Sequence, residues 1–422
     1  MLERARLAAN GLLTVANLFE NLAGIYGDRE VLDLAEPTGY RKLPSPVVTC
    51  RDALHFTNLA AEAFIRETDL KKGERVVLCI PEPAELLLVA VALVKAGGII
   101  VPMDQGLGAG EMRRRALDCG ARLTVADGGL LSQRADVARG MGEVTRLVAT
   151  GPRSRAPAGV PSLDEAMDAS SGFFLPYTLK PGNVVGLFHA RTGDGSLKAV
   201  MVTNEGLLGP HLRAAPLMPS RRGAPCLHAM ALESLGGISS AAMGLCMGLR
   251  MRFMPGGDAE AMLEEVEKTR PEAFMAARET YLGMKEAGIS RRDLSSLRLW
   301  FSYGDPLPRH VPDEFRGSSP ARARTPGLPA FVEAYGARGA ATLLALKPAC
   351  RHFHWPDGSP GLIVPPNRAA VEGGDAGELV IRGPAVTPGY WNDIEGTLEA
   401  KRGGWLHTGI PATTKRCAIT LR

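Results

Sequence analysis

The sequence predicts an α/β fold: two doubly wound α/β subdomains followed by a small β-rich subdomain. Three features of its patterning carry this expectation. Across residues 71–127, short β-branched runs alternate with segments of helical length, as in parallel strands joined by crossover helices. Another strand is expected from Asn183, and the alternation resumes from Leu249. Beyond Leu362 it gives way to brief strand-like pieces divided by Gly and Pro, the texture of a small β unit. The 422 residues hold about three units at roughly 150 residues each. The expected boundaries are 1–180 and 181–345 for the α/β subdomains, 346–409 for the β-rich one and 410–422 for a tail.

Taken in order, residues 75–80 are short, β-branched and closed by Pro81, which suits a buried strand. Residues 84–96 carry Leu, Ala and Val on every face, so a helix there is expected between layers, stopped by Gly97 and Gly98. Residues 99–101 form a second strand before Pro102. Residues 111–118 form a polar helix with Met112, Ala116 and Leu117 inward and Gly120 as its stop. Residues 122–126 form a third strand. Residues 151–161, rich in Pro, Gly, Ser and Arg, read as an exposed linker. Residues 183–188 and 199–203 are strands around a Gly-rich turn, and Asn204 starts a helix. A strand follows Leu249, then a helix over 259–269. Residues 317–329 are a second loop, and 378–382 a strand of the last subdomain. No internal repeat is present.

Composition narrows the function. Apolar residues make up 45% and charged residues 22%, which excludes wholesale disorder. The net charge of +4 gives no footing for nucleic acid or an anionic membrane as the main partner. The longest apolar run, 86–94, is too short for a membrane span. The opening residues carry Glu3 and no long apolar region, so no signal peptide is expected. Seven scattered cysteines without Cys-x-x-Cys spacing imply free thiols in a reducing cytoplasm, with Cys79 a small buried hydrophobe.

Three groups of segments then occur in a telling order. The first is Lys72-Gly73-Glu74-Arg75-Val76 with Val94-Lys95-Ala96-Gly97-Gly98. The second is Asp293-Leu294-Ser295-Ser296-Leu297-Arg298, leading to Gly304-Asp305-Pro306-Leu307-Pro308. The third joins Gly377-Glu378-Leu379-Val380-Ile381-Arg382-Gly383-Pro384, Gly389-Tyr390-Trp391-Asn392 and Gly404-Trp405-Leu406-His407-Thr408-Gly409. In these, over about residues 54–409, the chain resembles the adenylate-forming (AMP-binding) superfamily, and within it the acyl-CoA synthetases. The resemblance implies activation of a carboxylic acid, fatty or aromatic, by attack on the α-phosphate of ATP. An acyl-adenylate forms, and a thiol such as coenzyme A then takes the acyl group. Such chemistry needs a Gly/Ser/Thr loop around the phosphates, a carboxylate for Mg²⁺, an acid for the ribose hydroxyls and a lysine for the adenylate oxygens.

The resemblance places nucleotide-binding positions at Gly193, Gly195, Ser196 and Lys198 in the phosphate loop. It adds Gly304, Asp305 and Pro306, then Glu333, Ala334, Tyr335 and Gly336, with the Tyr335 ring on adenine. Glu233 and Ser234 are acyl-pocket candidates; the other reading of Glu233 is a partly exposed acid. No catalytic residue and no metal ligand is assigned. Several positions depart from the family pattern. Asp194 replaces a hydroxyl residue, and an aspartate beside polyphosphate is repulsive by ~4 kcal/mol at about 4 Å and an effective dielectric of about 20. The segment 192–198 therefore reads either as a working phosphate cradle or as a plain Gly-rich turn. Arg338-Gly339 stands in place of Thr-Glu, removing the family's Mg²⁺ ligand, and Ile410 replaces the aspartate that holds ribose. The lid domain that carries the family's catalytic lysine is expected to be absent, and Lys415 is in no matching context. A one-base deletion at the codon after Gly409 would account for the tail, Ile410 included, and not for Asp194, Arg338 or Gly339. ATP or AMP and coenzyme A are thus the implied ligands, with Mg²⁺ lacking its carboxylate. The competing expectation is a non-catalytic scaffold that binds a nucleotide, an acyl ligand or a protein partner, or a truncated, decayed gene product. Gly106-Leu107-Gly108-Ala109-Gly110 and the pair His352 and His354 read as scaffold and as core or surface histidines.

Overall fold

A computed structural model describes the chain apart from residues 1–12, 35–36, 193–194, 219, 255, 309, 319–329, 337–341, 344, 348–352, 355–359, 416–417 and 422. It is a mixed α/β protein dividing into two compact units. One spans Asn10–His189 and Met201–Asn204, the other Ala190–Val200 and Glu205–Arg422.

The first unit contains β1 (Glu30–Asp33), β2 (Val47–Thr49), β3 (Arg75–Cys79), β4 (Ile99–Pro102), β5 (Leu123–Asp127) and β6 (Arg146–Thr150). Strands β7 (Val184–Arg191) and β8 (Leu197–Thr203) form a hairpin, and the division between units runs through it. The sheet order is β6-β5-β3-β4-β7-β8, with β3, β4, β5 and β6 parallel. The expected strands and helices of residues 71–127 are all present, with Met112 and Ala116 buried but Leu117, expected inward, exposed. The helix Pro83–Lys95 is buried from Ala84 to Lys95, as its all-round apolar composition requires. Its one buried cation, Lys95, is fully enclosed. Its ammonium bonds Glu20 at 2.7 Å and the Asn58 amide oxygen at 2.7 Å, the pairing a buried charge needs. The Gly106–Gly110 run leads into the helix Ala109–Cys119, with Gly108 at its N-cap. The preceding long helix, Cys50–Thr68, begins with a capping box between Thr49 and Asp52.

The second unit begins with β9 (Pro225–Ala229), β10 (Arg250–Phe253), β11 (Ala273–Ala277), β12 (Leu299–Tyr303) and β13 (Ala330–Tyr335). These are parallel, in the order β10-β9-β11-β12-β13. Edge-to-face and tilted aromatic contacts tie these strands to one another and to neighbouring helices. Trp300 on β12 lies 4.9 Å from Phe315 and 5.8 Å from Phe274 between ring centroids, and Tyr281 lies 5.0 Å from Phe331 on β13. This core holds the C-terminal ends of β12 and β13 in place, the edge where open α/β sheets bind ligands.

From β13 the sheet turns antiparallel through β14 (Ala345–Lys347), and this strand pairs in turn with β16 (Pro360–Ile363). Strand β15 (Phe353–His354) precedes β16 in the chain. β17 (Arg368–Glu372), β18 (Ala376–Arg382), β19 (Leu406–Lys415) and β20 (Ala418–Leu421) complete the β-rich part. Residues 410–415, expected in a tail, continue β19. No helix among the described residues is long and apolar enough to cross a membrane. Cys50, Cys79, Cys119, Cys226 and Cys246 are buried thiols outside any disulfide.

Candidate functional site

Two of the expected groups of residues meet at the ends of β12 and β13. Gly304 directly follows β12, with φ of +116°, a conformation that favours glycine. Its N–H donates to the Ala334 carbonyl at 3.0 Å. Glu333, buried at 4% exposure, accepts from the Leu307 N–H at 2.9 Å. Its carboxylate therefore fixes the 304–307 turn from below. Tyr335 is 2% exposed. Its ring packs with Ala345, Leu379, Ile381, Leu406 and Ala412, and burial raises its phenol above the usual range. The ring lies in this apolar cluster; the resemblance places it on adenine, and the backbone of 334–336 forms the strand edge.

The phosphate-loop segment is the tip of the β7–β8 hairpin. Thr192 N–H donates to the Ser196 carbonyl at 2.9 Å, and Gly195 N–H to the Thr192 carbonyl at 2.8 Å. The Thr192 and Ser196 hydroxyls lie 3.1 Å apart, and Arg191 donates to the Gly195 carbonyl at 3.0 Å. These bonds turn several of the segment's polar groups inward on the turn itself. The Lys198 ammonium pairs with the Asp393 carboxylate. Asp393 also caps the helix Ile394–Ala400, accepting from the Gly396 N–H at 2.9 Å. The Gly-Tyr-Trp-Asn segment lies along β8 here: Trp391 N–H donates to the Ala199 carbonyl at 2.8 Å. Asp393 is a partner that sequence reasoning missed. Its signal was an Asp one residue before a short helix.

The third expected position lies in a β-bulge. His407 pairs with Val380 across β18 and β19, and Pro411 with Glu378, so Thr408, Gly409 and Ile410 face Leu379 alone. The Thr408 hydroxyl donates to the Leu379 carbonyl at 2.8 Å and accepts from the Ile410 N–H at 3.2 Å. The Ile410 side chain packs against the apolar cluster around Tyr335. A cavity of about 310 Å³ opens beside the bulge, lined by Thr192, Lys198, Glu378, Arg402, His407 and Gly409 among others. The fold therefore brings Lys198, with Thr192 of the same loop, and Gly409 to one pocket. Glu378, read from sequence only as scaffold, and Arg402, which sequence reasoning missed, are wall residues.

The acyl-pocket candidates fare differently. Ser234 is the N-cap of the helix Leu235–Cys246, accepting from Gly237 N–H at 2.9 Å and donating to the Ala231 carbonyl at 2.7 Å. Both hydroxyl functions serve the helix start. Glu233 beside it is half-buried. Gly193, Asp194, Arg338, Gly339 and His352 lie outside the described residues, as do the side chains of His354 and Lys415.

Over residues 33–391 the chain matches the AMP-binding enzyme family. It is 29% identical over 365 residues to feruloyl-CoA synthase of an Amycolatopsis species, covering 83% of this chain and 68% of that one. With the long-chain-fatty-acid–CoA ligase of Bacillus subtilis the identity is 23% over 396 residues, covering 83% and 67%. Among solved structures, the long-chain-fatty-acid–CoA ligase of Archaeoglobus fulgidus superposes with a TM-score of 0.80 at 19% identity, over 97% of this chain and 84% of that one. ATP-bound MatB from Rhodopseudomonas palustris superposes at 0.77 with 20% identity, over 97% and 78%.

Proposed function

Because the chain belongs to the AMP-binding enzyme family, we propose that it is an acyl-CoA-ligase-like protein that binds an adenine nucleotide and a carboxylic acid but is impaired in adenylation. One observation carries the impairment. At the position where the resemblance calls for a ribose-binding aspartate, Ile410 supplies an apolar side chain packed against the Tyr335 cluster. No acceptor for the ribose hydroxyls is offered there, and a hydroxyl left without its partner in a desolvated site loses ~1–3 kcal/mol.

The nucleotide itself fits in part. The 334–336 backbone stands at a strand edge, and Lys198 supplies a cation in the pocket wall for a phosphate. Lys198 is already neutralised by Asp393, so it offers a phosphate less net charge than an unpaired lysine. Mg²⁺ fits less well, since Gly339 has no side chain to coordinate it. A bound ATP would supply the activated α-phosphorus; the residues here would orient it. The acid is of the fatty or aromatic class on which the relatives named above act, with coenzyme A as the thiol. A cytoplasmic location belongs to the same proposal and is supported by the five buried thiols.

Thermal shift with ATP, AMP and coenzyme A tests the binding half. A nucleotide at a hundred times its Kd adds ~2.7 kcal/mol, so a clear rise in melting temperature is expected with AMP or ATP. No shift with any of the three at millimolar concentration would remove nucleotide binding from the proposal.

A further inference from the structure

We propose that Glu372, Glu378 and His407 form a binding site for a divalent transition-metal ion of the zinc class. One ligand atom from each lies within 4.8 Å of the others. The three come from three adjacent strands, β17, β18 and β19, which is a rigid frame for a coordination site.

Two features of the frame call for a cation. Glu372 and Glu378 are directly opposite each other across the β17–β18 pair, where like charges destabilise a sheet. Between them stands the His407 imidazole, its side chain only 7% exposed, with Nδ1 3.2 Å from an oxygen of each. Nδ1 also lies 3.2 Å from the Arg402 guanidinium. A single ring nitrogen cannot donate to two carboxylates and accept from a guanidinium at once. A metal ion satisfies the set: Nδ1 gives its lone pair, both carboxylates give an oxygen, and the exposed Arg402 side chain turns to solvent. One imidazole and two carboxylates, with a position left open, is a donor set suited to zinc and its neighbours rather than to Mg²⁺. Glu378 is held for the task, because its second oxygen accepts from the Gly409 N–H at 2.6 Å, an outer contact that orients a ligating carboxylate. Glu378 and His407 also line the cavity shared with Thr192 and Lys198, so a phosphate or carboxylate oxygen bound there would be in reach to complete the shell.

The test is calorimetric titration of the chelator-treated full chain with zinc chloride, with magnesium chloride in parallel. Saturable binding of one zinc ion is expected, at least tenfold tighter than magnesium. His407→Ala and Glu378→Gln are each expected to weaken zinc at least tenfold, and Glu395→Gln on the nearby exposed helix to leave it unchanged. Glu372→Gln removes an exposed ligand without touching the core, so a tenfold loss is expected there even if His407→Ala fails to fold. No saturable zinc binding, or zinc binding unchanged by Glu372→Gln, overturns the site. Neither nucleotide nor acid is present in the titration, so its outcome is separate from that of the adenylation reading.

Discussion

Ile410 is the side chain whose chemistry matters most for the proposed impairment. Its replacement by aspartate is expected to tighten AMP binding about tenfold by calorimetry, the worth of one good charge-assisted hydrogen bond. An unchanged affinity would show that ribose is held elsewhere. Ile410 was legible in the sequence, because a motif residue had visibly changed type. Glu85 was not. Its partner, the Tyr40 hydroxyl, donates to it at 2.7 Å from 45 positions away, and no local pattern announces such a pair. Burial raises the Glu85 carboxyl to about 7, with the Tyr40 hydroxyl opposing. Below its unfolded value the group is protonated in both states. As pH rises from about 4.5 to about 7 the unfolded chain loses its proton first, so stability falls through that window. Glu85→Gln stays neutral and is expected to abolish that part of the fall, worth up to ~3 kcal/mol, in urea melts at about pH 5 and pH 8. Equal slopes in both proteins would contradict the buried-acid reading.

Elements show the same division between what is local and what is not. Residues 259–269 form the expected helix, because its cap Asp258 and apolar spacing are local signals. The bulge at 408–410 was invisible, since it exists only against β18. At the hairpin between β17 and β18, a Cβ on Gly377 would meet the Glu372 carbonyl at 1.8 Å. Gly377→Ala is therefore expected to disturb the hairpin and lower stability by about 1–3 kcal/mol, seen as a lower urea midpoint. Asp393 has two duties that substitution can part. Asp393→Asn keeps the helix cap, so its stability should change little, while Lys198 loses its counter-charge and nucleotide affinity should rise. Asp393→Ala removes the cap as well and is expected to cost about 1 kcal/mol. Equal stability of the two variants would show that the cap contributes nothing.

At the scale of the whole molecule, the alternating strands and helices, the turn at Gly304 and the change of texture near residue 360 were readable, because folding rests on periodicity and on Gly and Pro placement. The division into units was less so. The β7–β8 hairpin bridges them, and β13 passes its hydrogen bonds on to β14 without a break. The family scaffold is retained, while the residues at positions 194, 339 and 410 depart from the motifs that the resemblance implies. Carboxylate-dependent exchange of labelled pyrophosphate into ATP, run with Mg²⁺ and a panel of fatty and aromatic acids, tests that contrast most directly. Exchange at the level of the acid-free control is the expected result. Mg²⁺-dependent exchange well above that control with any of the acids would contradict it.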